Sequence, residues 1–320
     1  MFGSHSAVAQ CDPSEEKILF SHVVATKGHP KGQAAAALAD RVNLELDGEA
    51  CMEVYPNAEL YSDDATMFEA LIQGNLQMAA PSLSKFEDFT KVFRVFDLPF
   101  LFEDIHAVER FQQSEVGQGL MLAMRRQGIL GLAYWHNGMK QMSATQPLRR
   151  PEDASGLRFR VQQSDVLVAQ MEALGATGVK MAFRDVHDAL RDGQVEGQEN
   201  TWSNIFTKQF YRHQAGVTET NHGIIDYLVV ASRRWWQGLP QGLRNRLGQI
   251  LLEVTHEHNR FAFEINEFAK LKILENGGVV RRLRQAEREA WLNALRPVWA
   301  QFEGDIGARV IQAAERSNSD

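Results

Sequence analysis

Short apolar runs alternate along this chain with longer stretches in which apolar residues return every three or four positions. Ile18 to Ala25, Ala50 to Tyr55, Leu76 to Ala80, Ile129 to Trp135, Leu157 to Val161, Gly193 to Glu199 and Ile225 to Ala231 read as strands. Pro30 to Leu46, Asp64 to Gln73 and Glu103 to Gln127 read as helices between them. Such alternation predicts an α/β protein built on mainly parallel sheets. From Gln249 to Asn276 the chain has neither Gly nor Pro. From just before that stretch, Leu247, Leu251, Val254, His258, Phe261, Ile265 and Phe268 recur at spacings of three or four. One amphipathic helix of roughly 42 Å is expected there, long enough to run across two lobes and belong to both.

Composition narrows the partners. At 320 residues the chain exceeds the size at which single cores stop growing, so two lobes are expected. A net charge of −7 argues against nucleic acid or an anionic membrane as partner, and an anionic ligand would need a locally basic pocket. No apolar run approaches the roughly 18–20 residues that span a bilayer. Ala7-Val8-Ala9 before Gln10 fits the small-residue end of a secretory signal, but residues 1–6 hold no basic or apolar region ahead of it. Residues 1–14 therefore read as a signal-peptide remnant or as an unrelated tail. Cys11 and Cys51 leave one disulfide open, which an exported protein would permit.

Candidate chemistry centres on Arg160. Leu157, Phe159 and Val161 point to one face of their strand, Arg158 and Arg160 to the other. A guanidinium on a rigid strand, joined by the Asn200 amide from a second strand, can hold a carboxylate in fixed geometry. Taken singly, Arg160 reads as a surface charge. The polar groups at the ends of other apolar runs change that reading: His22, Ser82 with Lys85, and His136 with Asn137. In open α/β sheets, ligands bind beyond the carboxyl ends of the strands. Lys31, at the start of the Pro30 helix, adds a charge where helix N-termini already favour anions. Trp202 is a candidate pocket wall. The sequence carries no P-loop, G-x-G-x-x-G, G-x-S-x-G, H-E-x-x-H or C-x-x-C pattern, so no cofactor or metal is expected.

Phe20-Ser21-His22-Val23-Val24-Ala25, Pro30-Lys31-Gly32, Tyr55-Pro56-Asn57 and Ala80-Pro81-Ser82 form an ordered series with Phe96 to Phe102, Ala133 to Lys140, Leu157 to Val161, Gly197 to Asn200, Trp202 to Asn204 and His222-Gly223. From about Lys17 to its C-terminus the chain resembles the extracytoplasmic solute-binding proteins of tripartite ATP-independent periplasmic (TRAP) transporters, of the DctP type. Within them it is most similar to the C4-dicarboxylate binders, which take malate, succinate and fumarate. The resemblance implies a two-lobed periplasmic-binding-protein-like fold, with a ligand cleft between lobes and a long helix spanning both. The lobes are expected as 15–137 plus 226–265 and 138–225 plus 266–320. Implied partners are a small organic acid and the TRAP membrane permease subunits, with the protein a periplasmic monomer. The family role implies that Arg160 fixes one carboxylate with help from Asn200. Lys31, Ser82, Lys85, Asn137, Lys140 and His22 are the candidates for the other end.

Three departures bear on the ligand. Thr201 stands where relatives carry proline, His187 where an aromatic is expected, and Asn221 where Asp is frequent. A monocarboxylate or sugar acid as ligand, and a sensor role with a membrane receptor, are the alternatives. An enzyme acting on a carboxylic acid would need His22 or His136 as general base.

Overall fold

The computed structural model describes residues 11–319. The Ala7-Val8-Ala9 stretch lies outside them. The strands are β1 (Glu16–Ser21), β2 (Ala50–Tyr55), β3 (Met78–Ala79), β4 (Ile129–Met139), β5 (Gln141–Ala144), β6 (Arg158–Val161), β7 (Thr177–Lys180), β8 (Gly197–Asn200), β9 (Gly216–Glu219), β10 (Ile224–Ser232) and β11 (Val280–Arg282). The helices are α1 (Pro30–Glu45), α2 (Asp64–Gln73), α3 (Ile105–Gln113), α4 (Glu115–Leu120), α5 (Asp165–Ala173), α6 (Val186–Arg191), α7 (Trp202–Thr207), α8 (Arg233–Gly238), α9 (Gln241–Glu275), α10 (Gln285–Leu295), α11 (Trp299–Ile306) and α12 (Ala308–Arg316).

Two sheets result, ordered β2–β1–β3–β10–β4 and β11–β9–β5–β8–β6–β7. Both are mixed, where mainly parallel sheets were expected. β10 runs antiparallel to β3 and β4, and β5 antiparallel to β8 and β9. The reason is connectivity. The chain leaves the first sheet along β4 and enters the second as β5 after a single residue, Lys140, with no helical crossover. It returns from β9 to β10 through residues 220–223. The Lys140 N–H donates to the Gly223 carbonyl at 2.8 Å, so the two crossings lie side by side.

The 103–127 stretch forms two short helices instead of one. Ser114 ends α3, and its Oγ accepts the Gly117 N–H at 3.1 Å to start α4. Gly117 is required there, because a Cβ would stand 2.1 Å from the Phe111 carbonyl oxygen. The long helix begins earlier than expected, at Gln241, directly after Pro240, and runs 35 residues to Glu275. Leu243, Leu247, Ile250, Leu251 and Val254 pack with Ile18, Phe20 and Trp135 of the first sheet. Ala269 and Ile273 pack with Val195 and Val217 beside the second. The expected stripe drifts over that length, leaving Phe261 and Phe268 44% and 55% exposed.

The C-terminal helices divide between the cores of the two sheets. Val298, Trp299, Phe302, Ile306, Ile311 and Ala314 bury against Phe96, Phe111, Tyr134 and Leu228, which belong with the first sheet. Trp291 and Leu295 stay with the second. We propose that the second lobe takes 266–295 and that the chain then returns to the first. Cys11 and Cys51 form a disulfide that ties the segment before β1 to the edge strand β2.

Candidate ligand-binding site

Five of the candidates meet at one cavity between the sheets: Lys31, Ser82, Lys85, Arg160 and Asn200. Gln162, Phe183, Asn204 and Tyr227 complete its polar and aromatic walls. The fold brings them together through strand ends. Arg160 lies on β6 and Gln162 just past it, two residues on and on the same face. Asn200 ends β8, and Asn204 is one helical turn further along, on α7. Ser82 follows β3 and bridges to Tyr227 of β10. Lys31 sits in the first turn of α1. The cavity has a volume of about 20 Å³, room for about one water molecule. It adjoins a cleft of about 690 Å³ with which it shares Lys85, Arg160, Gln162 and Phe183. A larger solute therefore requires those shared walls to move.

The cations in this cavity are unequally neutralised. Arg160 is 2% exposed, and its Nε and Nη2 both donate to the Met181 carbonyl, at 3.0 and 2.8 Å. That acceptor fixes the guanidinium plane and is neutral, so Glu199 and Asp64 act on the charge only from a distance. Burial pulls Arg160 down to about 10, still protonated at neutral pH. Lys31 donates to the Ala80 carbonyl at 2.9 Å and lies 3.8 Å from the centre of the Tyr227 ring. Burial, and then the charge of Lys85, push Lys31 well below the usual lysine range, against a smaller opposing pull from Asp64. Lys85 differs: Asp64 holds it at 2.6 Å. His22 borders an adjoining pocket with Lys31 and Lys85. Burial and Lys31 bring His22 down to about 3, so it is neutral. Its Nδ1 accepts the Val24 N–H at 3.4 Å, which leaves Nε2 as a buried donor without a partner.

Asn137, Lys140 and Trp202 do not line the cavity. Asn137 lies behind it, donating to the Tyr227 hydroxyl at 2.8 Å and accepting from Ser203 Oγ at 2.7 Å. Lys140, between β4 and β5, points into a buried cluster. Its Nζ meets Glu199 at 2.9 Å, and His222 Nε2 meets the other side of the same carboxylate at 2.8 Å. Gly223 leaves room for this lysine, since a Cβ there would stand 2.7 Å from Lys140 Cε. Trp202 opens α7 and packs into the apolar cluster under α9, with Lys270 over its ring at 5.3 Å. His136 is also remote from the cavity. It pairs with Asp226 at 2.7 Å beside a groove between β4, α3 and α9.

Among the described residues no helix is long and apolar enough to cross a membrane. The chain matches the model of the DctP family, bacterial extracellular solute-binding protein family 7, over residues 20–305. It is 55% identical over 315 residues to the C4-dicarboxylate-binding periplasmic protein DctP of Vibrio cholerae serotype O1, covering 98% of this chain and 95% of that one. A crystal structure of a TRAP periplasmic solute-binding protein from Shewanella oneidensis, with bound succinate, matches with a TM-score of 0.93 at 46% identity, over 95% of this chain and 99% of that chain. One from Pseudomonas aeruginosa PAO1, with bound L-malate, matches with a TM-score of 0.87 at 44% identity, over 89% and 99%.

Proposed function

Because this chain belongs to the DctP family of bacterial extracellular solute-binding proteins, we propose that it captures a C4-dicarboxylate, such as succinate, malate or fumarate, in the periplasm and delivers it to the membrane permease of a TRAP transporter. The observation that carries this reading is the charge count in the cavity. Arg160 and Lys31 are both buried there, and both are held by neutral carbonyl oxygens rather than carboxylates. Two buried basic groups with no carboxylate in direct contact favour a dianion, which restores the Lys31 charge as it binds, over a monoanion. Arg160 and Asn200 take one carboxylate. Lys31 and Ser82 take the other, with Lys85 and the His22 N–H in reach as their walls adjust. The first group belongs to the second lobe and the other to the first, so a ligand that bridges them favours the closed arrangement. The acid is held and released unchanged, by a monomer.

A thermal-shift screen of small organic acids, followed by calorimetry, tests this. At 100 times its Kd a ligand stabilises by roughly 2.7 kcal/mol. Succinate, malate and fumarate are expected to raise the melting temperature, and acetate or pyruvate to leave it unmoved. A shift with the monocarboxylates alone would remove the dicarboxylate assignment. Arg160→Ala is expected to weaken binding by about a hundredfold or more without unfolding the protein.

A further inference from the structure

The cavity wall that carries Asn200 continues inward to Asn204 and then to His29, the residue just before α1. His29 is fully buried and touches neither cation by hydrogen bond. We propose that His29 is a positioning residue that fixes the polarity of the Asn200 amide, so that Asn200 can only donate into the cavity and the site takes a carboxylate there in preference to a carboxamide. This rests on the reading of the cavity as a diacid site.

The Thr201 N–H is a donor, and it lies 3.2 Å from Asn200 Oδ1, so that atom is the oxygen. Asn204 Nδ2 lies 2.6 Å from the same oxygen and is therefore the amino group. Asn204 Oδ1 is then left facing His29 Nε2 at 3.0 Å. An amide oxygen cannot donate, so the hydrogen sits on His29 Nε2. His29 Nδ1, which has no partner, holds only a lone pair. The Tyr227 hydroxyl, 3.3 Å from Nε2, takes a lesser share of that hydrogen. Were the hydroxyl the donor, two lone pairs would face each other between His29 and Asn204. Burial and the nearby Lys31 and His22 hold His29 well below the usual histidine range, which keeps it the neutral tautomer this relay needs.

The relay ends at Asn200 Nδ2, which is buried, has no protein partner and belongs to a side chain lining the cavity beside Arg160. A buried N–H without an acceptor is a cost that a ligand oxygen relieves. A carboxylate presents only acceptors. A carboxamide turned the wrong way sets N–H against N–H. The Thr201 contact is long, and the Tyr227 hydroxyl beside Asn204 can donate or accept, so without His29 the polarity of the amide pair is no longer fixed.

Calorimetry with succinate and with its monoamide, succinamate, on three proteins decides the matter. The wild type is expected to prefer succinate by about 10–100-fold. His29→Leu is expected to cut that ratio at least fivefold. His29→Gln, whose side-chain N–H can donate to Asn204, is expected to restore it to within about twofold. The ratio compares two ligands on one protein, so a general loss of stability does not move it. An unchanged ratio in His29→Leu would overturn the proposal. If that variant does not fold, 15N spectra of the wild-type imidazole serve instead. A protonated Nε2 with a bare Nδ1 is expected, and a protonated Nδ1 overturns the relay. A wild type that binds neither acid would sink the diacid reading, while the tautomer would still be decided by the spectra.

Discussion

Lys140 and Arg160 are both buried cations at the margins of the second sheet, and the nearest carboxylate separates their roles. Glu199 sits against Lys140, whereas Arg160 has only a carbonyl. Glu199→Gln would strand the Lys140 charge and is expected to lower stability by about 3–5 kcal/mol in urea unfolding at pH 7. The pH dependence has a definite sign. Burial raises the Glu199 pKa, but the Lys140 charge and the His222 hydrogen bond outweigh it and bring the carboxyl from 4.5 to about 2. Its folded pKa lies below its unfolded value, so its contribution is complete above about pH 4.5 and drains as pH falls towards 2. His222, held low chiefly by burial, adds a loss in the same direction as the unfolded chain takes up protons below pH 6.5. In Glu199→Gln the lower part of that slope is expected to vanish, and its persistence would show that another carboxylate produces it. These pairings also mark the limit of the sequence. Arg160 was legible because its strand alternates and its neighbours are apolar. Lys140, in the equally suggestive run Trp135 to Lys140, was placed in the site because nothing local reveals that Glu199, far along the chain, neutralises it. Tyr227 was hidden for the converse reason, as a lone hydroxyl inside a wholly buried strand.

At the scale of elements, α9 does more than fill space. β4 is the outer strand of the first sheet, and its free edge faces this helix. Asn259 satisfies that edge as a neighbouring strand would. Its Oδ1 accepts the His136 N–H at 2.9 Å, and its Nδ2 donates to the Tyr134 carbonyl at 2.9 Å. Seven residues on, Asn266 donates to the Asn137 carbonyl at 2.7 Å and accepts the Ser203 N–H at 3.0 Å, joining β4 to α7. Asn259→Ala is expected to cost about 1–3 kcal/mol in chemical unfolding and to speed exchange of the His136 amide hydrogen. Unchanged exchange there would mean that the clip contributes nothing. Residue spacing foretold a long helix at this place, because a sustained apolar period is visible in any one sequence. β5, β7, β9 and β11 span only three or four residues each, too few for a period to show, and their pairing is decided by partners elsewhere in the chain.

For the whole molecule, the disulfide and the sheet order decide what holds together. The Cys11–Cys51 link closes a separation of 40 residues, which in the chain-entropy account is worth up to about 4 kcal/mol. The double substitution Cys11→Ser with Cys51→Ser is expected to lose about 2–4 kcal/mol, read from urea midpoints with and without reductant. A loss below about 0.5 kcal/mol would show that the link leaves the unfolded chain as free as before. The sheet order reaches further. β10 lies between β3 and β4, with Val230 opposite Ala79 and Tyr227 opposite Trp135. β4 therefore has no strand beside it until residue 224 and beyond are available, while β5, β6, β7, β8 and β9 can pair among themselves within a single continuous stretch. A chain emerging from its N-terminus can thus assemble most of its second sheet while the first still gapes at its centre. Insertion of one wholly buried strand, β10, then fills that gap and brings Ile225 and Tyr227 to the cavity between the sheets.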